Sequence, residues 1–213
     1  MVNDPRRSAP KGVGPTQSGQ KRVGPGALIL IVGPSGAGKD TVMRQAMDGL
    51  SGTDRIRFAR RIITRTADNG SEDHDSVSED TFENLVGTGG AALHWRAHGL
   101  GYALPIKIDT WIAEGETVVA NTSRRMIEAA AARYERVVVV HVTAPPEILA
   151  QRLEARGRET AADILERLQI VPLSVPEGVT LTKIVNDTTP EAAGDRLIEA
   201  IARTADALPA IPR

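Results

Sequence analysis

From Ala27 the chain runs Ala-Leu-Ile-Leu-Ile-Val to Val32, a continuous apolar stretch of strand length. With no polar position to turn toward water, this run predicts a strand buried on both faces, as in a parallel sheet. A Gly-rich turn follows, and from about Lys39 to Leu50 the apolar positions recur at helical spacing. A short strand is expected around Arg57 to Ile63, then a polar stretch, Thr66 to Ser76, too charged for a core. Ser78 is placed to cap a short helix carrying Phe82 and Leu85, and Ala91 to Ala103 reads as two short strands around Gly99. Further on, Glu116 to Asn121 predicts a strand, and Ser123 caps an Ala-rich helix to Tyr134. Arg136 to Thr143, with Val137 to Val140 all valine, predicts another strand. Pro145 and Pro146 open a helix to about Ala155, and a second helix covers about Ala161 to Ile170. Leu181 to Val185 is the last strand, and Pro190 to Ala205 closes the chain as an amphipathic helix.

Strands alternating with helices imply an α/β, doubly wound fold: a parallel sheet covered on both faces and joined by right-handed crossovers. Two segments stand outside that alternation, residues 56 to 114 and the Arg-rich stretch from Arg152 to Arg167. Both are candidate substrate lobes. Residues 1 to 26 hold nine Gly or Pro, five Lys or Arg and one acid, with no hydrophobic periodicity, so a disordered tail is expected there. The ordered domain is expected over 27–206, with a short tail at 207–213.

Composition narrows the class. At 213 residues, 41% hydrophobic and 25% charged, the chain suits one domain able to bury about two-thirds of its unfolded surface without disulfides. The absence of cysteine excludes thiolate metal sites and cysteine nucleophiles, and a cytoplasmic setting is the expectation. No apolar run approaches the roughly 18 residues of a membrane span, so no membrane partner is expected. A net charge of −1 argues against wholesale nucleic-acid binding. Within that balance, 21 of the 26 basic residues are Arg, the side chain suited to bidentate phosphate recognition.

The sharpest chemical signal is Gly33-Pro34-Ser35-Gly36-Ala37-Gly38-Lys39, set between a buried strand and a helix start. Glycines there let successive N–H groups converge on phosphates without Cβ obstruction, while the helix N-terminus and Lys39 add positive potential. The reading is a nucleoside triphosphate site, ATP with Mg²⁺, in which Thr41 also belongs to the loop's helix start. One departure stands out: the position after the lysine, usually Ser or Thr for the metal, is Asp40. Thr41 lies about 100° further round the helix and is no simple replacement. Either Asp40 serves the metal or the metal is held differently.

That loop, then Ile63-Thr64-Arg65, Arg152-Leu-Glu-Ala-Arg156-Gly, Arg167 and Val185-Asn-Asp187, resembles the guanylate-kinase-like branch of the P-loop nucleoside monophosphate kinases over nearly all of residues 27 to 205. Within the branch the chain resembles the ribose 1,5-bisphosphate phosphokinases. That likeness is carried by Gly-Lys-Asp40, Gly70-Ser-Glu-Asp-His74, Leu93-His-Trp-Arg-Ala-His-Gly-Leu-Gly-Tyr102 and Asn121-Thr-Ser-Arg124. Guanylate kinases follow their Thr-Thr-Arg with a second arginine, a Gly-Glu pair and Asp-Tyr; here Arg65 is followed by Thr66-Ala67-Asp68, and His94 stands where the guanine-reading glutamate would be. A site built to read a base loses orders of magnitude in discrimination without those partners.

The resemblance implies a five-stranded P-loop kinase sheet with an inserted acceptor-binding lobe (56–114) and an Arg-rich lid (152–170). It implies ATP-dependent transfer to the 1-phosphate of ribose 1,5-bisphosphate, giving 5-phosphoribosyl 1-diphosphate and ADP, in connection with phosphonate breakdown. Arg61, Arg65 and Arg124 are then acceptor-phosphate candidates, Glu72 and His74 face the ribose, and Tyr102 and Arg158 complete the acceptor set. His98 is a weaker member, and Trp95 is more naturally a packing residue. Lys39, Arg152, Arg156 and Arg167 clamp the transferring phosphoryl group, Asp40 is the metal candidate, and Asn186 and Asp187 lie near the adenine. Two alternatives remain open on the sequence: a kinase of another small phosphorylated acceptor, GMP included, and a non-catalytic binding module of the same fold.

Overall fold

The continuous apolar run becomes the centre of the sheet. A computed structural model, which describes residues 21–65, 74–155 and 173–209, places β1 (Ala27–Val32) third among five strands. The order is β2 (Ile56–Ala59), β7 (Thr117–Asn121), β1, β8 (Val137–Thr143) and β9 (Thr180–Val185), and every neighbouring pair is parallel. All six residues of β1 are buried. Alternation along the strand sends Leu28, Leu30 and Val32 into one core and Ile29 and Ile31 into the other. A central parallel strand therefore has no solvent face on which to place a polar residue.

Helices α1 (Lys39–Gly49), α5 (Pro146–Ala155) and α6 (Pro190–Asp206) cover one face, through Val42, Ala46, Leu149, Leu197 and Ile201. Gly194 lets α6 approach α1 closely, since a Cβ there would sit 2.6 Å from the Gln45 Cβ. The opposite face is covered by α3 (Lys107–Ala113) and α4 (Ile127–Arg133) through Ile108, Ile112, Ile127 and Ala130. Each such Leu or Ile taken fully out of water contributes about 1.5–3 kcal/mol before entropy is counted.

A second, four-stranded sheet follows the order β4 (His74–Ser76), β3 (Arg61–Ile63), β6 (Leu100–Pro105) and β5 (Ala91–Ala97). β3 and β4 are parallel, and the other two pairs are antiparallel. The β5–β6 hairpin turns through His98 and Gly99, at φ 52° and 74°, the left-handed pair that matches strand twist. Helix α2 (Glu79–Gly87) is capped by the Ser78 hydroxyl, which accepts from the Thr81 amide at 3.2 Å. Arg96 clamps it to the sheet, pairing with Glu79 and Glu83 while its guanidinium lies over Phe82.

Several expectations need correction. The strand expected over Arg57 to Ile63 is two strands in two different sheets, separated at Arg60. The second sheet therefore starts at Arg61, and α3 packs into a buried core that the two sheets share. Local alternation reports burial but not which sheet does the burying, so this split is invisible along the chain. The polar stretch contributes β4 through backbone pairing, for which polar side chains are no obstacle. The helix capped by Ser123 opens as a 3₁₀ turn over Arg124–Met126. Two residues of the expected tail, Val23 and Gly26, are bonded into the fold: the Val23 amide donates to the Arg133 carbonyl, the Glu135 amide to the Val23 carbonyl, and the Gly26 amide to the Ile112 carbonyl. Residues 1–20, the helix expected at Ala161 to Ile170 and most of the lid lie outside the described residues, as does the chain end from 210. No helix among the described residues is long and apolar enough to cross a membrane.

Candidate active site

Where β1 ends, the backbone makes the turn that the glycines were read to permit. Gly33 has φ 154°, and a Cβ there would lie 1.9 Å from the Val142 carbonyl oxygen, so only glycine passes β8 at this point. Gly38 has φ 81° and is the N-cap of α1, with no side-chain cap, which leaves the helix start to its dipole and amides. Lys39 Nζ donates to the Gly33 and Pro34 carbonyls at 3.0 and 2.9 Å, curling over the loop. Ser35 and Thr41 are exposed on its rim.

Two residues far along the chain complete the loop's walls. Asn186 is buried; its Nδ2 donates to the Ala37 carbonyl at 2.9 Å, and its amide donates to the Thr143 carbonyl at 2.7 Å. A Cβ on Gly38 would stand 2.5 Å from that Nδ2. Asn186 thus braces the loop from beneath through Nδ2, while its Oδ1 is buried without a hydrogen-bond partner among the described residues. Asp187 is exposed next to it. Arg152 reaches in from α5, with Nη1 3.8 Å from the Gly38 Cβ position. That nitrogen is buried without a hydrogen-bond partner among the described residues. A buried guanidinium nitrogen of this kind calls for an anionic acceptor, and the adjoining loop is shaped for phosphate oxygens.

Toward the C-terminal ends of β8 and β9 stand two residues that the sequence reading missed, His141 and Lys183. His141 on β8 is paired in register with Lys183 on the edge strand β9. Its imidazole is held below the ordinary histidine range, first by burial and then by the positive charges of Lys183, Arg124 and Lys39. Arg124, exposed at the start of the 3₁₀ turn, is therefore within electrostatic reach of His141. The available signal was a titratable residue interrupting a run of valines at a strand's carboxyl end, where α/β sheets bind ligands.

On the other side of the loop, Asp40 Oδ1 accepts from Asn121 Nδ2 at 2.7 Å and lies 3.6 Å from the Arg61 guanidinium. A cleft of about 190 Å³ opens there between α1 and β2, lined by Asp40, Arg44, Arg60, Arg61 and Asn121 with Met43 and Phe58 behind them. Among the described residues no group of three His, Cys, Asp or Glu converges to hold a metal. Asp40 is a carboxylate here that could hold a divalent cation beside bound phosphates.

The acceptor candidates divide. Arg61 is mostly buried beside Asp40 and stands in register with His74 on β4. Arg65 follows Thr64, whose Oγ1 accepts from the Gly101 amide at 2.8 Å and ties the end of β3 to β6. Tyr102 stacks on Trp95 across the hairpin, with centroids 5.4 Å apart and planes 6° from parallel, so its ring is a packing element of the lobe. His94 lies on β5, and His98 sits at the hairpin turn. The structure brings Lys39, Asp40, Arg61 and Arg152 around one loop, while Arg124 acts electrostatically on His141. Glu72, Arg156, Arg158 and Arg167 lie outside the described residues, as does Asp68.

A family model described as an AAA domain matches residues 29–170. The ribose 1,5-bisphosphate phosphokinase PhnN of Agrobacterium fabrum is 42% identical over 178 residues, covering 84% of this chain and 97% of that protein. The bifunctional ribose 1,5-bisphosphokinase-thymidine phosphorylase of Azorhizobium caulinodans is 45% identical over 184 residues; the match covers 86% of this chain but only 27% of that longer protein. Among solved structures, guanylate kinase from Anaplasma phagocytophilum superimposes with a TM-score of 0.60 over 84% of this chain and 85% of that one, at 21% identity, a likeness of fold.

Proposed function

The chain belongs to the AAA-domain family and to the ribose 1,5-bisphosphate phosphokinases, and from that premise we propose that it transfers the γ-phosphoryl group of ATP to the 1-phosphate of ribose 1,5-bisphosphate. The products are 5-phosphoribosyl 1-diphosphate and ADP, and the reaction belongs with phosphonate breakdown. The observation that carries the reading is the phosphate loop facing the buried Nη1 of Arg152, a nitrogen with no hydrogen-bond acceptor among the described residues.

The chemistry asks the protein for alignment and charge neutralisation rather than for a covalent intermediate. A phosphate monoester has its second pKa near ~6, so the attacking 1-phosphate oxygen is already ionised at neutral pH and needs no general base. That oxygen forms a bond to the γ-phosphorus as the bond from γ-phosphorus to the β,γ-bridging oxygen breaks, and the electron pair leaves with ADP. Lys39 and the loop amides hold the ATP phosphates, while Arg152, with Arg156 and Arg167 from the lid, neutralises charge on the transferring group. Arg61, Arg65 and Arg124 bind the acceptor phosphates, and Glu72 and His74 take the ribose hydroxyls. Asp40 is the side chain that would hold Mg²⁺, which when bound offsets charge on the β- and γ-oxygens.

The acceptor follows from what the lobe lacks as well as from family membership. By the resemblance to guanylate kinases, Asp68 and His94 stand where those enzymes read their nucleotide. Incubating the full chain with ATP and a panel of acceptors, and following ADP release, tests this. The kcat/KM for ribose 1,5-bisphosphate should exceed that for GMP by about a thousandfold or more, given the cost of unmatched polar groups in a recognition site. Comparable values for the two would return the chain to guanylate kinase activity.

A further inference from the structure

In P-loop enzymes the helix residue after the lysine supplies a hydroxyl to Mg²⁺, and the end of a sheet strand supplies an aspartate. Here the polarity of that pair is exchanged. Asp40 follows Lys39 on α1, and the strand end carries Asn121, in register with Ile31 of β1. Asn121 is only 5% exposed, and its Nδ2 donates to Asp40 Oδ1 at 2.7 Å. An ionised carboxylate can only accept, so this bond fixes which end of the amide is nitrogen. The other end, Oδ1, is buried and has no hydrogen-bond partner among the described residues. A buried acceptor in that state, at the rim of a phosphate loop, is satisfied by a donor that arrives with the ligand. Arg61, 3.6 Å from the same Asp40 oxygen, balances the carboxylate's charge from the acceptor side and cannot supply Oδ1 through that contact.

We propose that Asn121 is a positioning residue for the divalent cation: Nδ2 fixes the Asp40 carboxylate, and Oδ1 accepts a hydrogen bond from a water in the cation's shell. Mg²⁺ retains several waters when it binds beside phosphates, so such a donor is available. The site still offers the metal one carboxylate, moved from the strand to the helix, and Asn121 rather than a second acid faces it. This assignment rests on the kinase reading above and adds a role for a residue that does not touch the transferring group.

The test uses the full chain and needs no turnover. The Kd for ATP is measured with saturating Mg²⁺ and again in EDTA, and the ratio gives the gain in affinity due to the metal. Wild-type protein that binds ATP in neither condition would overturn the kinase reading itself, and binding with no gain would overturn the assignment alone. With a wild-type gain present, Asn121→Ala should reduce it by about tenfold or more, the usual size of an outer-shell loss, while leaving the EDTA value within about twofold. Asp40→Ser alone should reduce it as well, and Asp40→Ser combined with Asn121→Asp, which recreates the ordinary arrangement, should recover most of it. A wild-type gain in Asn121→Ala, or a double variant no better than Asp40→Ser alone, would overturn the assignment. If thermal melting shows that Asn121→Ala does not fold, the double variant decides the matter by the same criterion.

Discussion

Lys39 hydrogen-bonds carbonyls of its own loop, while the cores on either side of the sheet are built from other residues. Lys39→Ala should therefore lower kcat by about a hundredfold or more, the size of an electrostatic contribution to phosphoryl transfer, with the melting temperature nearly unchanged. Steady-state kinetics and a thermal melt on the same preparation check both halves. His141 makes a second prediction. Burial, Lys183, Arg124 and Lys39 together hold its imidazole below the usual value near ~6.5. As pH falls through that value the unfolded chain takes up the proton before the folded protein does. The unfolded state binds more protons in that window, so stability rises with pH across it and is lost on acidification. The melting temperature should drop between about pH 7.5 and 5.5, and His141→Gln should show a smaller drop over the same range, because the shifted titration is gone. An equal drop in both proteins would remove His141 from the account.

At the scale of elements, the loop's two sides are carried by different units. α5 delivers Arg152 to the phosphate loop, whereas β3 and the residues after it, pinned by Thr64 to β6, deliver Arg65 to the second sheet. Arg152→Ala should accordingly lower kcat by about a hundredfold with little change in the acceptor KM, because it removes a contact formed to the transferring group. Arg65→Ala should raise the acceptor KM by about tenfold, the loss of one charge-assisted contact, with a smaller effect on kcat. Both variants altering only the KM for ATP would show that the two sides have been exchanged. The brace made by Asn186 belongs to this scale as well: it joins the end of β9 to the loop backbone and so couples the edge of the sheet to the phosphate site.

For the whole molecule, one core spans both sheets. Leu93, Trp95 and Leu104 of the second sheet lie in the same buried cluster as Leu28, Leu30 and Val118 of the main sheet, and Trp111 packs against it. The second sheet should not unfold by itself. Tryptophan fluorescence, which reports Trp95 and Trp111, and far-ultraviolet circular dichroism, which reports all elements, should give coincident thermal transitions. Leu93→Ala should shift both together, by the equivalent of about 2–5 kcal/mol for a buried leucine. A separate, earlier fluorescence transition would show that the lobe melts independently.

The sequence by itself determined the central strand, the phosphate loop and the helix that follows it, because each depends on residues adjacent in the chain. Ala27–Val32 is apolar without a break, and the glycines at 33, 36 and 38 set backbone angles locally. The family motifs were legible for the same reason, and so was the departure at Asp40. Tertiary structure alone decided that Asn121 meets Asp40, 81 residues away, and that Asn186 grips Ala37, 149 residues away. It alone divided Arg57–Ile63 between two sheets and set Lys183 and Arg124 close enough to hold the His141 imidazole low. Those facts depend on which strand lies beside which, and strand order is set by long-range burial and crossover handedness, for which no local run of residues carries a mark.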